Sequence, residues 1–76
     1  PESKIPDPID AYVGARITEF RKARGLTLAQ LGAQVGVGLQ QVQKYEKGEN
    51  RISASMLHRV ARQLGKHPGA FFPPAE

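Results

Sequence analysis

The sequence predicts an all-α domain of five short helices, of which the second and third form a helix-turn-helix. Apolar residues recur at helical spacing along the longer segments, and glycine or proline separates one segment from the next. Within residues 27–48, two such segments are joined by only three residues, Gly36-Val37-Gly38. We therefore divide the chain into a flexible N-terminal arm at 1–6, a helical domain at 7–72 and a C-terminal tail at 73–76.

The size and composition favour a binding module over an enzyme. With 76 residues the chain can form one domain, and a domain this small buries only about 60% of the surface that it exposes when unfolded, which leaves little room for a deep catalytic cavity. There is no cysteine, so the sequence offers neither a disulfide framework nor a thiolate metal site. The short apolar runs and the N-terminal sequence PESKIPDP predict no membrane span and no secretory leader. We expect a soluble protein of the cytoplasm.

The net charge of +4 is unevenly distributed along the chain. Residues 1–10 are acidic overall, residues 11–26 are basic, and residues 27–43 contain no charged side chain. A basic excess on so small a body favours a polyanionic partner, and nucleic acid fits better than a membrane because no segment combines basic residues with a bulky apolar face. On charge alone, a well-solvated surface explains the pattern equally well.

The first helix is predicted to begin at Asp7-Pro8 and to end at Gly25. Asp7 can cap the N–H groups of the first turn, proline suits the first helical position, and Asp10 complements the positive end of the helix dipole. The predicted core positions of this helix recur at helical spacing and are Val13, Ile17, Phe20 and Ala23.

The second helix is predicted to start at Leu28, after a T-x-x-Q capping box that begins at Thr27. Between its core positions stands Gly32, where a helix interior would favour alanine by about 1 kcal/mol, so we expect a close approach between helices there. Gly36 suits the left-handed conformation that ends a helix, and Val37 can reach the core from the turn. The core positions of this helix are Leu31 and Val35.

The third helix is predicted from Leu39 to about Lys47. At about 100° per residue, its inward face carries Val42, Tyr45 and Glu46. Its opposite face carries amides and amines only, at Gln40, Gln43, Lys44 and Lys47. Because any exposed helix can carry such side chains as ordinary solvated groups, this pattern alone does not assign them a function.

The fourth helix follows a polar loop at 49–52, which begins after Gly48 has closed the third helix. Ser53 is a suitable N-cap, and Gly65 is placed to end the helix. The predicted core positions are Met56 or Leu57, Val60, Ala61 and Leu64.

The last predicted helix is short. From His67 to Phe72 we expect one or two turns, which Pro73-Pro74 prevents from continuing. Phe71 and Phe72 are predicted to fill the core, and the alternative is that one of them is exposed for a two-fold partner.

In these motifs the sequence resembles the lambda-repressor-like DNA-binding domains, the Cro/CI or XRE type of helix-turn-helix found in bacterial and phage transcription regulators. The resemblance covers most of the chain and is carried by GLT at 25–27, LxxxVGV at 31–37, VxxYEKG at 42–48 and LxxxAxxLG at 57–65. The sequence departs from the family pattern at Leu28, Gly32, Gly38 and Leu39, and the changes at 28 and 38 remove side chains that often contact phosphates. The resemblance implies a homodimer on a two-fold symmetric operator in double-stranded DNA.

The resemblance also implies that the third helix reads DNA, with its first residues facing the bases. Glutamine can form paired hydrogen bonds with adenine, and lysine can reach a guanine edge or a phosphate. The base-reading candidates are Leu39, Gln40, Gln41, Gln43 and Lys44. The phosphate-binding candidates, at helix N-termini or in the loop after the third helix, are Thr27, Lys47, Asn50, Arg51 and Ser53.

An acid on the inward face of a helix needs a partner, because burying an unpaired charge is costly. The resemblance supplies Arg21, near the end of the first helix, as the partner of Glu46. We expect these two residues to form a structural ion pair.

No catalytic site, metal site or cofactor is predicted. His58 and His67 are nine residues apart and have no carboxylate cluster beside them, and the serines lack an activating neighbour. We interpret the sequence as a sequence-specific transcription regulator, a repressor, that acts at the nucleoid in a bacterial cytoplasm. The alternative is a protein-interaction module, such as an antitoxin or a helical adaptor, which the uncharged second helix and the paired phenylalanines leave open.

Overall fold

Every regular element that the computed structural model describes is helical. Residues 5–74 are described, so residues 1–4 of the predicted arm and residues 75–76 of the predicted tail lie outside the described residues. The elements in chain order are α1 (Pro8–Ala23), α2 (Leu28–Val35), α3 (Leu39–Glu46), α4 (Ala54–Leu64) and a 3₁₀ helix at Pro68–Phe71. None of the described helices is long and apolar enough to cross a membrane.

The all-helical class and the helix-turn-helix are as predicted, but the prediction of five α-helices is wrong. The last element is a single 3₁₀ turn of four residues, and Phe72 after it is already extended. Proline at its first position and the prolines beyond Phe72 leave too few residues with an N–H group to form an α-helical turn.

The predicted helix ends are confirmed where a local cap sets them. The Asp7 carboxylate accepts a hydrogen bond from the Ile9 N–H at 2.8 Å, so α1 starts at Pro8. The capping box at the start of α2 is complete, with both reciprocal hydrogen bonds between Thr27 and Gln30. Gly36 ends α2 in the left-handed conformation, with φ at 84°. α3 ends one residue earlier than predicted, with Lys47 as its C-cap.

The core lies where the four α-helices meet, and Phe71 of the 3₁₀ turn completes it. The Phe71 side chain is fully buried and meets the Phe20 ring edge-on, with 5.1 Å between the ring centroids. Phe72 is 45% exposed, so only the first of the two phenylalanines fills the core. The buried apolar residues are Val13, Ile17, Leu31, Val35, Val42, Leu57, Val60, Ala61, Leu64 and Phe71.

Ala23 was predicted in the core and is exposed instead. The buried residues of α1 are Val13, Gly14, Ile17 and Arg21. At 100° per residue, position 23 lies about 135° from the centre of this buried face, so it faces solvent.

Three glycines, Gly14, Gly32 and Gly48, allow close backbone contacts, and only Gly32 was predicted to do so. A methyl carbon built on Gly14 would overlap the carbonyl oxygens of Tyr45 and Glu46, so α1 lies directly against the last turn of α3. A methyl carbon on Gly32 would lie 2.5 Å from the Val37 carbonyl oxygen. The other near neighbour of Gly32 is the carbonyl group of Gly38, the N-cap of α3, so α2 approaches the start of α3 through the turn that joins the two helices.

Candidate nucleic-acid interface

The outward face of the short helix α3 is polar and exposed. α3 has eight residues, a length of about 12 Å. Val42 is 2% exposed and fixes the opposite face in the core, and Leu39 at the start of the helix is 46% exposed. The exposed amide and amine side chains are Gln40, Gln43, Lys44 and Lys47. The structure thus places four of the predicted DNA-contacting side chains on one accessible surface.

The first turn of α3 has no side-chain cap among the residues that the structure describes. Gly38 is the N-cap, and its carbonyl oxygen accepts from the N–H groups of Gln41 and Val42 at 3.1 and 3.2 Å. The N–H groups of Leu39 and Gln40 precede these and point out of the helix start. Oriented N–H groups at a helix N-terminus favour a negative ligand.

Gln41 is half-buried and differs in its surroundings from its neighbours on α3. Its side-chain amide donates to the Asn50 side-chain oxygen at 3.2 Å. The contact joins α3 to the loop that follows it and places Asn50 beside the edge of the helix. Gln41 is therefore engaged within the protein, whereas Gln40 and Gln43 project into solvent.

Arg51 lies in the same loop and is held by an acid from α1. Its Nε donates to Asp10 Oδ2 at 3.1 Å, while 75% of the Arg51 side chain is exposed. The hydrogen bond to Asp10 and the negative charges of Asp10 and Asp7 raise the pKa of the Arg51 guanidinium above its ordinary value. No pattern in the sequence signals this contact, because its two residues are 41 positions apart.

Thr27 and Ser53 act as helix caps. The Thr27 hydroxyl oxygen accepts from the Gln30 N–H at 3.0 Å, and the Ser53 hydroxyl oxygen accepts from the Met56 N–H at 3.1 Å. In each case the oxygen is used by the cap. The Thr27 hydroxyl hydrogen can still be donated, whereas the Ser53 hydroxyl also lies 3.3 Å from the Ser55 hydroxyl, and either of these two groups can be the donor. Thr27 and Ser53 are both exposed, so their hydroxyl groups are accessible to a phosphate oxygen.

Beneath α3, a network of charged and polar groups joins it to α1. Arg21 Nε donates to Glu46 Oε2 at 2.6 Å, and Arg21 Nη2 donates to Glu46 Oε1 at 3.1 Å. The Thr18 hydroxyl donates to Glu46 Oε1 at 2.8 Å, and Arg21 Nη1 donates to the Leu26 carbonyl at 2.8 Å. The two charged side chains are only 10% and 9% exposed. Neither Thr18 nor the Leu26 carbonyl was predicted as a partner, and no spacing pattern in the sequence signals either.

An apolar groove lies between the start of α1 and the start of α4. Its volume is about 440 Å³, and Asp10, Arg51 and His58 lie along it. Ile9 and Phe72 flank the groove and are 52% and 45% exposed. The apolar residues that line it are Ile9, Val13, Ile52, Ala54, Leu57, Pro68 and Phe72. Over residues 5–74, no three metal-ligating side chains are grouped in a way that could hold an ion.

The chain is similar in sequence to known helix-turn-helix proteins. A family model described as helix-turn-helix matches residues 17–71. An uncharacterised HTH-type transcriptional regulator, y4aM of Sinorhizobium fredii, is 47% identical over 64 residues, covering 84% of this chain and 45% of that protein. The chain thus spans about half the length of the curated relatives it matches.

Solved structures give the same architecture. The restriction-modification controller protein C.AhdI from Aeromonas hydrophila is similar with a TM-score of 0.77 and 27% identity, over 82% of this chain and 94% of that one. The P22 c2 repressor, solved with a synthetic operator, gives a TM-score of 0.75 and 27% identity over 79% of this chain and 91% of that one. Hydroxypropylphosphonic acid epoxidase from S. wedmorenis gives a TM-score of 0.83 and 26% identity over 90% of this chain, but the match covers only 36% of the epoxidase.

Proposed function

Since this chain belongs to the helix-turn-helix family, we propose that it is a transcriptional regulator that binds double-stranded DNA with α3 in the major groove. One observation carries the proposal. α3 buries Val42 on one face and exposes a continuous row of amides and amines on the other, and its N-terminus has no side-chain cap. The major groove of B-form DNA accepts a single α-helix and displays a different donor and acceptor pattern for each base pair. The relatives named as HTH-type transcriptional regulators support the same function.

In this proposal, the first turns of α3 read the bases. Gln40 forms paired hydrogen bonds with an adenine, and Lys44, one turn later, reaches a guanine edge or a phosphate. Gln43 lies beside them, and exposed Leu39 packs on a thymine methyl group. Gln41 contributes through its contact with Asn50, which fixes the loop that follows the helix.

Phosphate contacts then fix the position of α3 without selecting a sequence. Lys47 and Arg51 supply positive charge, and Asn50 lies between them in the chain. The caps Thr27 and Ser53 donate their hydroxyl hydrogens at the N-terminal ends of α2 and α4, where the helix dipole favours an anion.

The proposed assembly is a homodimer on a two-fold symmetric operator, and the proposed effect is repression. A single eight-residue helix offers few base contacts, whereas two copies with their α3 helices about 34 Å apart would read successive faces of the major groove. The likeness to the P22 c2 repressor, whose structure was solved with a synthetic operator, supports repression through an operator.

The test begins with selection of bound sequences from a random duplex pool, followed by affinity measurements on the selected site and on a scrambled duplex. Gln40→Ala should lower the affinity for the selected site about fivefold or more, because a bidentate base contact contributes about 1–3 kcal/mol, and should spare the scrambled duplex. Gln63→Ala removes an exposed glutamine from α4 and is the matched control. An equal loss on both duplexes for Gln40→Ala would show that Gln40 does not read bases.

Lys47→Ala provides the complementary measurement in the same assay. It should weaken binding to both duplexes and should reduce the dependence of log affinity on log salt by about one, because one phosphate contact is lost. An affinity that does not change with salt would contradict phosphate contact as the main source of binding.

The apolar groove favours a second candidate function, a protein-interaction module. Ile9 and Phe72 expose apolar surface beside a groove of about 440 Å³, which is the kind of surface that binds a partner protein. The same duplex selection separates the two functions, because a module of this kind would enrich no sequence from the pool.

A further inference from the structure

The contact between Asp10 and Arg51 joins the first turn of α1 to the loop between α3 and α4. The hydrogen bond from Arg51 Nε to Asp10 Oδ2 is 3.1 Å long. The Asp10 side chain is 20% exposed, whereas that of Arg51 is 75% exposed. The acid is therefore fixed within the fold, and the cation projects from it.

The backbone around Asp10 is firmly packed against the end of α3. A side-chain carbon on Gly48, just after α3, would lie 2.9 Å from Ala11 Cα and 3.3 Å from the Asp10 carbonyl carbon. Asp10 also stands in the first turn of α1, where the helix dipole favours a carboxylate. The carboxylate thus has a defined position relative to α3.

The geometry leaves the outer part of the guanidinium available. Asp10 engages Nε, and within residues 5–74 no hydrogen bond uses either terminal nitrogen of Arg51. These two nitrogens form the planar fork that binds two phosphate oxygens. Asn50, the preceding residue, accepts a hydrogen bond from Gln41 of α3, so Arg51 directly follows a residue that is held at the edge of the proposed DNA-reading helix.

We propose that Asp10 is a positioning residue for DNA binding. Its carboxylate orients the Arg51 guanidinium so that the two terminal nitrogens of Arg51 bind a phosphate group of the DNA backbone. This inference rests on the proposed function, and it assigns a role to a residue of α1 that does not itself touch DNA. An exposed ion pair contributes little to folding stability, so stabilisation is a weak explanation for it. Orienting the arginine before binding removes the entropy cost of ordering a flexible side chain in the complex.

The sign of the effect distinguishes this role from simple electrostatics. Asp10→Ala removes a negative charge, which by charge alone should raise the affinity for DNA. If Asp10 orients Arg51, the affinity for the selected site should instead fall about two- to tenfold, which is the cost of immobilising one more side chain. Asp10→Asn keeps an oxygen acceptor for Arg51 Nε and should restore most of the loss.

The matched control is Glu49→Gln, which removes an exposed acid from the same loop. It should leave the affinity unchanged or raise it. In an Arg51→Ala background, Asp10→Ala should no longer lower the affinity, because there is no guanidinium left to orient. Thermal unfolding of each variant, measured alongside, separates an effect on DNA binding from an effect on α1.

Three results would overturn the inference. Asp10→Ala could raise the affinity or leave it unchanged, or it could lower the affinity equally in the Arg51→Ala background. If the wild-type protein binds its selected site and Gln40→Ala weakens that binding, any one of these results contradicts the role of Asp10 and leaves the proposed function standing. If the wild-type protein selects no duplex, the proposed function fails and the inference fails with it.

Discussion

At the scale of single residues, the interaction that most affects stability is the buried pair of Arg21 and Glu46. Glu46 accepts hydrogen bonds from Arg21 through both oxygens and one from the Thr18 hydroxyl, and no polar side-chain atom buried within the described residues lacks a partner. A charged pair buried to this extent is tolerated because its hydrogen bonds are satisfied. Removing one member leaves the other charge buried without compensation.

Glu46→Gln should therefore lower the free energy of unfolding by about 3–5 kcal/mol, a large part of the roughly 5–15 kcal/mol that holds a small domain folded. Urea denaturation measures the loss. DNA affinity should fall as well, because the pair fixes the angle between α1 and α3. A variant with unchanged stability and unchanged affinity would contradict the structural role that we assign to this pair.

The exposed pair of Arg16 and Glu19 on α1 provides the control. Its side chains are 33% and 52% exposed. Glu19→Gln should change the free energy of unfolding by less than about 1 kcal/mol, because solvent screens an exposed pair and side-chain entropy opposes it. The difference between the two variants isolates the effect of burial.

At the scale of the elements, the angle between α2 and α3 depends on the turn between them. The N–H groups of Gly36 and Val37 both donate to the Gly32 carbonyl, at 2.8 and 2.9 Å, which closes α2 tightly. The Val37 carbonyl then returns to within contact of Gly32, where only a hydrogen atom fits. The turn lies against its own helix, so a change at position 32 displaces α3.

Gly32→Ala should destabilise the protein by about 1–3 kcal/mol, although alanine is favoured over glycine in a helix by about 1 kcal/mol. The overlap with the Val37 carbonyl outweighs helix propensity, because a backbone atom must move. Denaturant unfolding gives the sign of the change, and a gain in stability would contradict the packing described here.

Gly38→Ser is the control for this prediction, since a side-chain carbon at position 38 meets nothing within 4 Å. Serine would cap the first turn of α3 and should raise the free energy of unfolding by a few tenths of a kcal/mol. If Gly32→Ala lowers the free energy of unfolding and Gly38→Ser raises it, the space around each glycine, and not the loss of a glycine as such, determines the change in stability.

At the scale of the whole molecule, a small core is completed by a residue from its C-terminal segment. Phe71 is fully buried and packs on Phe20, whose other surroundings include the amine of Lys66 at 4.9 Å from the ring centroid. The 3₁₀ turn carries Phe71 under α1 and α4 and leaves Phe72 at the apolar groove. Two adjacent phenylalanines therefore have different roles.

Phe71→Ala should lower the free energy of unfolding by about 3–5 kcal/mol through lost burial and an internal cavity. Phe72→Ala removes the same side chain from a half-exposed position and should cost much less. Thermal or urea unfolding of the two variants makes the comparison, and similar losses would contradict the assignment of Phe71 alone to the core.

The sequence by itself determined the helices and the direction of their faces. Caps such as Asp7 and Thr27 and stop residues such as Gly36 act within a few positions of the chain, so they can be identified without the fold. Periodicity placed Val42 inward and Gln40 outward for the same local reason. Periodicity was wrong for Ala23, because a small apolar residue at the end of a helix is weak evidence of burial. It also did not distinguish the last 3₁₀ turn from an α-helix.

The tertiary structure decided how these elements meet, because the deciding contacts join residues far apart in the chain. The pairing of Arg21 with Glu46 was expected from resemblance, but the Thr18 hydroxyl that completes it was not. Gly14 allows α1 to lie against α3, and Asp10 holds Arg51 across 41 positions. None of these partners has a signature in local sequence, since each contact exists only after the packing of α1 against α3 has brought the two segments together.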